Sequence, residues 1–362
     1  MVSQPIKNYR TGNGRLPYDS FMFRVCLRVI AVCCLVTAAL GGVVLYQNDF
    51  DITEVRVEIP GSAQSLDAIL ALPTRGEKPY GLVVFVHGDG PADASRDSFY
   101  RPLWESFARA GYASVSWNKP GVQGAQGNWL HQSMHDRAVE TESVLTWARN
   151  RGDIDPRRIG LWGISQAGWV MPEVAVNHPE LQFMILVGPA INWLRQGEYN
   201  LLAELRAQGA GDAEIAAALH RRAESVRLLR ADADYGRYVA SGIDDPPMST
   251  DRWRFVRTNY TSDVTPQLAR IEIPVLVMLG AEDRNVDVAE TERIYRAQVP
   301  PTLLTVQTFP DASHSIAKAP LDHHQGVRSF LVAVFAPRSL YAPGYLDALR
   351  RFVETQPERT TP

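Results

Sequence analysis

Residues 160–169 read GLWGISQAGW and carry one hydroxyl, Ser165, directly after a short apolar run and between small residues. A serine hydroxyl is a poor nucleophile until a base takes its proton, so chemistry at Ser165 requires a histidine and an orienting acid elsewhere. The run before Ser165 reads as a strand and QAGWVMPEVAV after it as a helix, which puts the serine on the turn between them. A turn that sharp needs small residues two before and two after the hydroxyl, and Gly163 and Ala167 meet that need. A serine that merely capped the helix would place no constraint on either position.

The acid and base are sought on loops that reach the same sheet edge. Asp283 follows the strand ending VMLG, within GAEDRNVD, and His314 follows the next strand, within FPDASHSI. Glu282 neighbours Asp283 but points elsewhere, Asp287 enters the following helix, and Asp311 shares the histidine's loop. His323 and His324 are expected on the solvated face of the last helix of the sheet domain. Attack on an acyl carbon also needs N–H donors for the oxygen that becomes negative. The backbone N–H of Gln166 is one candidate, and that of Asp89 in the loop HGDGP is the other, with the Asp89 carboxylate turned away from the oxyanion. His131 and His135 lie four apart near a helix start, but no third ligand accompanies them and solvent-facing residues are expected. Neither metal nor cofactor is expected.

The elements that must position these residues are short β-rich runs alternating with helical segments. Strands are predicted at 52–59, 67–73, 82–87, 112–117, 158–164, 183–188, 274–279 and 303–309, and helices within 97–111 and 132–152. The central runs are apolar almost throughout, as in parallel strands covered on both faces. The expected class is α/β: a doubly wound, mostly parallel sheet with antiparallel strands at its start. Between the strands near 188 and 274 lie about 85 residues, far more than a crossover needs. Residues 192–262 are read as an inserted helical lid over the carboxyl edge of the sheet, with two helices broken at Gly209 and Gly211; a peripheral decoration is the alternative. Trp193, Tyr199, Tyr235, Tyr238, Trp253, Phe255 and Tyr260 in this insert suit either an apolar acyl pocket or the packing of its own helices.

The 362 residues, 45% of them hydrophobic, suffice for a large core, and a formal net charge of -3 without long single-sign runs gives no footprint for nucleic acid. A neutral or apolar small-molecule acyl substrate is expected. Cys26, Cys33 and Cys34 all fall in the N-terminal apolar region, which excludes disulfides, a thiol nucleophile and cysteine-held zinc from the rest. Residues 29–46 carry no charge and, as a helix, span roughly 27 Å, close to the hydrocarbon thickness of a bilayer. Lys7, Arg10, Arg15, Arg24 and Arg28 precede this segment, while Asp49, Asp51 and Glu54 follow it. That asymmetry predicts a signal anchor with residues 1–28 cytoplasmic and the domain across the inner membrane, facing the periplasm or exterior. Secretion after cleavage near Val36-Thr37-Ala38 is the alternative.

With these residues in place the chain resembles the α/β-hydrolase superfamily, and most of all its bacterial serine esterases and prolyl-oligopeptidase-like hydrolases. That group combines an HGSGP-type loop, a DKPGxGxSxG-type loop and a GxSQGGW turn. Here they read HGDGP (87–91), NKPGVQGAQGNW (118–129) and GISQAGW (163–169), and the likeness runs over residues 52–355. The resemblance implies a nucleophile at Ser165, an acid at Asp283, a base at His314 and oxyanion amides at Asp89 and Gln166. Asp89 for serine, Asn118 for aspartate and Ala167 for glycine depart from the pattern. Hydrolysis of an ester or thioester is the expected activity, a serine peptidase the alternative, and a binding module on a retired scaffold the third reading. The oligomeric state is left open.

Overall fold

The apolar runs LVVFV and VLVML both become central strands, because a strand covered by helices on two faces has no side on which to place polar residues. A computed structural model describes residues 17–324 and 326–357. The chain divides into two compact units, Met1–Asp49 and Phe50–Pro362.

In the first unit, helix α1 (Pro17–Gln47) contains an apolar stretch, Met22–Gln47, that is long enough to cross a membrane and is not buried against protein. The helix starts upstream of the expected 29–46, since nothing between Tyr18 and Leu40 breaks it and Arg24 and Arg28 are good helix formers. Of the expected cytoplasmic segment 1–28, residues 1–16 lie outside the described residues.

The second unit runs β1 (Ile52–Ile59), β2 (Leu66–Pro73), β3 (Tyr80–Val86), α2 (Arg101–Ala108), β4 (Tyr112–Trp117), α3 (Met134–Arg149), β5 (Ile154–Ile164), α4 (Met171–Asn177) and β6 (Met184–Val187). The insert follows with α5 (Trp193–Ala207), α6 (Asp212–Arg230), α7 (Tyr235–Ala240) and α8 (Thr250–Asn259), and α9 (Thr265–Leu268) comes after it. The chain closes with β7 (Val275–Gly280), α10 (Val288–Gln298), β8 (Leu304–Phe309), α11 (Ala319–Asp322), α12 (Val327–Phe335) and α13 (Tyr345–Glu354). The eight strands form one sheet in the order β1-β2-β4-β3-β5-β6-β7-β8. The β1/β2 and β2/β4 pairs are antiparallel and the other five are parallel. This is the α/β-hydrolase fold.

Alternation along β3 divides the core. Leu82, Val84 and Val86 lie on the side of the sheet covered by α3, α4 and α10, in one cluster with Leu145, Met171 and Tyr295. Val83 and Phe85 face α2 and α13, where Trp104, Phe107, Tyr345 and Leu349 do the same. Helix α2 is shorter than the sequence suggests, because Arg96, Asp97 and Ser98 take positive φ in a turn before it. Strand β5 begins four residues early, at Ile154, where Tyr80 pairs with it across an irregular register.

The insert leaves and rejoins the sheet at one place. Asn192 pairs with Asp263 in an antiparallel bridge, and the Trp193 N–H donates to the Ser262 carbonyl at 2.9 Å. Part of its interior is its own: Trp253 stacks on Tyr238 at 4.1 Å and packs with Leu228, Leu229 and Ala233, while Phe255 enters the core of the sheet domain. Two of the aromatic residues weighed for an acyl pocket, Trp253 and Tyr238, therefore belong to the core that such an insert needs.

Candidate active site

Strand β5 ends at Ile164 and the chain turns at once into a short 3-10 helix, Ser165–Trp169, ahead of α4. Ser165 sits at φ 57°, a left-handed conformation that a residue with a side chain adopts only where its surroundings impose it. The surroundings do so by contact. A Cβ on Gly163 would lie 2.3 Å from Met171 Sδ and 2.6 Å from the Ala167 Cβ, so the strand and helix can cross here only with glycine at 163. Gly168 is pressed in the same way against the backbone of Ala190.

Asp283 lies beyond β7 and is buried. Its Oδ1 accepts from the backbone N–H groups of Asn285 and Val286 at 2.7 and 2.9 Å, and its Oδ2 accepts from His314 Nδ1 at 2.7 Å. With Nδ1 donating to this carboxylate, Nε2 is the ring nitrogen left to accept a proton. His314 follows β8 and lies against Gly188 at the end of β6, where a Cβ would come within 2.9 Å of its Nδ1. Gly188, at φ 48°, thus leaves the space that the imidazole occupies. The competing acids go elsewhere. Asp287 caps α10 by accepting from the Glu290 N–H, while Glu282 and Asp311 are exposed. His323 and His324 fall between α11 and α12 rather than within a helix, and His323 is half-buried. His131 bonds Asp251 and His135 bonds Glu173, and no group of three potential ligands exists among the described residues.

Gly88 touches the turn, with a Cβ position 3.4 Å from that of Ser165, so the HGDGP loop lies against the serine. The Asp89 carboxylate is held aside: Gln166 Nε2 donates to it at 3.0 Å and the Arg252 guanidinium of α8 at 3.1 Å. Burial raises the Asp89 pKa, but the opposed charge and hydrogen bonds of Arg252 outweigh this and hold it below the usual carboxylate range. Four further residues, to which the sequence assigned no such role, complete the support. Arg137 on α3 is buried, donates to the Gln166 side chain and donates to the His87 carbonyl at 2.6 Å. Lys119 is buried as well and donates to the Gly88 and Gly90 carbonyls at 2.6 and 2.9 Å. Burial, then the nearby Arg137 charge, pushes the Lys119 pKa well below its ordinary value. His87 donates from Nε2 to the Trp117 carbonyl at 2.6 Å and accepts at Nδ1 from the Tyr100 hydroxyl at 2.9 Å. Burial above all, and then Lys119, lowers the His87 pKa to about 3, so the ring is neutral. Tyr199 of α5 donates to the Asp283 carbonyl at 2.9 Å, joining the insert to the loop that carries the acid. Asn118, in the place of an aspartate, accepts from the Ala94 N–H at 2.8 Å and holds the NKPG loop to the segment that follows HGDGP.

A cavity of about 510 Å³ opens beside His314, lined by Glu204, Arg284, Asn285, Asp322 and His323. Its polar walls differ from the apolar surroundings expected of the substrate, because α5 contributes Glu204 here while the large aromatic residues of the insert pack inward.

A family model described as serine aminopeptidase, S33, matches residues 77–320. The chain belongs to this α/β-hydrolase family. Among solved structures, the Est1E esterase from Butyrivibrio proteoclasticus, in a form with ferulic acid bound, is 14% identical, with a TM-score of 0.52 over 83% of this chain and 98% of that one. The Pyrococcus furiosus esterase Pf2001 is 14% identical, with a TM-score of 0.51 over 77% of this chain and 91% of that one. An acylaminoacyl peptidase from Pyrococcus horikoshii is 13% identical, with a TM-score of 0.52 over 89% of this chain but only 44% of its own. At these identities the likeness is one of fold. No curated protein matches the chain.

Proposed function

We propose that the protein is a serine hydrolase that cleaves carboxylic esters or thioesters through an acyl-enzyme on Ser165. The observation that carries this reading is the left-handed turn at Ser165, which stands at the same sheet edge as the hydrogen-bonded Asp283–His314 pair. In the proposed reaction His314 Nε2 takes the Ser165 proton as the hydroxyl attacks the acyl carbon, and Asp283 stabilises the imidazolium. The amides of Asp89 and Gln166 receive the negative oxygen. His314 then returns the proton to the leaving alcohol or thiol, and a water activated by the same nitrogen releases the acid. The esterases among the solved structures of this fold support an ester as substrate.

The protein is proposed to sit in the inner membrane through α1, with its catalytic unit in the periplasm or outside; the excess of Lys and Arg before α1 supports that orientation. A serine peptidase is the second reading, favoured by Glu204 and Asp322, two carboxylates beside His314 that suit a substrate ammonium group. A fluorophosphonate probe should label the full-length protein and fail to label Ser165→Ala. Labelling that persists in that variant would refute Ser165 as nucleophile. Turnover of p-nitrophenyl esters without turnover of aminoacyl anilides is expected, and the opposite preference would establish the peptidase.

A further inference from the structure

Helix α12 has the composition of a core segment and the placement of a surface one. Its sequence, VRSFLVAVF, holds seven apolar residues and a single charge, Arg328, yet none of its residues is buried. Val327, Phe330 and Leu331, at the i, i+3, i+4 spacing that defines one helical face, are 76%, 66% and 46% exposed. In α13, by contrast, Tyr345, Leu349 and Val353 at comparable spacing are buried against the sheet. An apolar face of this kind left in water marks a contact surface.

Two further observations identify what it contacts. The turn that follows α12 is fastened to the first residues of the unit. Arg338, three residues beyond Phe335, lies 4.4 Å from the centre of the Phe50 ring and donates to Glu105 at 2.6 and 2.8 Å, and Glu105 also accepts from the Asp51 N–H. Only Asn48 and Asp49 separate Phe50 from Gln47, the last residue of α1, so a bilayer crossed by α1 begins within a few residues of this cluster. The charge pattern agrees: residues 323–346 contain Arg328 and Arg338 but neither aspartate nor glutamate. An apolar face with a basic flank and no acid suits the headgroup layer of an anionic membrane.

We infer that α12 is a second membrane contact, lying in the plane of the bilayer interface with Val327, Phe330 and Leu331 among the acyl chains and Arg328 at the phosphates. This rests on the reading of α1 as a membrane span. Because α11 and the cavity lined by Asp322 and His323 directly precede α12 in the chain, the contact holds the mouth of that cavity near the lipid.

The test uses the full-length protein reconstituted at one copy per nanodisc of phosphatidylcholine and phosphatidylglycerol, with a fraction of the phosphatidylcholine carrying an acyl-chain diazirine. After illumination, peptides bearing lipid adducts are mapped. Adducts are expected in α1 and in residues 327–335. The double variant Phe330→Glu, Leu331→Glu should reduce those at α12 by about tenfold or more. Its adducts in α1 and its hydrolysis of soluble p-nitrophenyl acetate should stay unchanged. Adducts confined to α1 would overturn the proposal while leaving the span intact; adducts at α12 with none in α1 would support the contact and refute the span. An unchanged α12 signal in the double variant would also overturn it, since the side chains named would then not be the ones in lipid.

Discussion

Acidification should weaken the support of the HGDGP loop through one residue, His87. The ring is neutral in the folded protein, with a pKa of about 3 against an ordinary 6.5. A base whose folded pKa is depressed adds stability that is complete above 6.5 and is lost as pH falls toward 3. Between pH 7 and pH 4.5 the unfolded chain protonates this histidine almost fully while the folded chain does not. The loss is about 2.5 kcal/mol, and it hardly depends on the folded value while that value lies below the working pH. A charged ring would also forfeit the bond from Tyr100, whose hydroxyl donates to Nδ1, and would face Lys119 and Arg137. The assay is urea unfolding followed by tryptophan fluorescence at pH 7 and 4.5, for the wild type and for His87→Gln, which does not titrate. The wild type should lose about 2.5 kcal/mol more than the variant over this interval. Equal losses in the two proteins would show that His87 is not held neutral, and the account of the loop would be wrong.

Asp283→Asn keeps the shape of the acid but removes the charge facing His314, so ester turnover should fall about a thousandfold or more, while Glu282→Gln stays near normal. The reverse result would place the acid at the neighbouring residue. Trp253→Ala should lower stability by about 3–5 kcal/mol in thermal or urea unfolding without changing the preference between short and long acyl chains. A change in preference at undiminished stability would return Trp253 to the pocket. Arg252→Gln should release the Asp89 carboxylate from its ion pair and lower kcat by about tenfold, with KM less affected. An unchanged kcat would mean that the carboxylate keeps away from the oxyanion without help.

The sheet was legible because its central strands are buried on both faces and read as uninterrupted apolar runs, as in LVVFV and VLVML. The start of β5 was not, since Asp155, Pro156 and two arginines hide a strand whose pairing to β3 depends on Tyr80. Ser165, Asp283 and His314 could be chosen because each lies just beyond a strand, and loops after parallel strands share one edge. Arg137, Lys119 and Arg252 carry no such mark. Arg137 is one charge among many on α3, and only its partners, 29 and 50 residues away in the chain, make it part of the site. Lys119 stands in the NKPG loop, and nothing in that loop's spacing marks the Gly88 and Gly90 carbonyls, 31 and 29 residues away in the chain, as its partners. The aromatic residues of the insert were ambiguous for the same reason: an acyl pocket and an independent small core call for the same side chains.

The insert leaves the sheet at Asn192 and returns beside it at Asp263, with the two ends stitched to each other. A segment whose ends meet asks of the host one gap between β6 and β7 and a seam on which Phe255 and Trp193 can pack. Such a segment can be exchanged, by recombination or by design, for another of different length without altering the order or register of the strands. The surface offered to the substrate and the scaffold that aims Ser165 and His314 can thus follow separate evolutionary histories so long as the seam between them is kept: Phe255 in the core of the sheet domain, Trp193 stacked on Trp169, Asn259 bonded to the Met134 N–H, Arg252 to Asp89 and Tyr199 to Asp283.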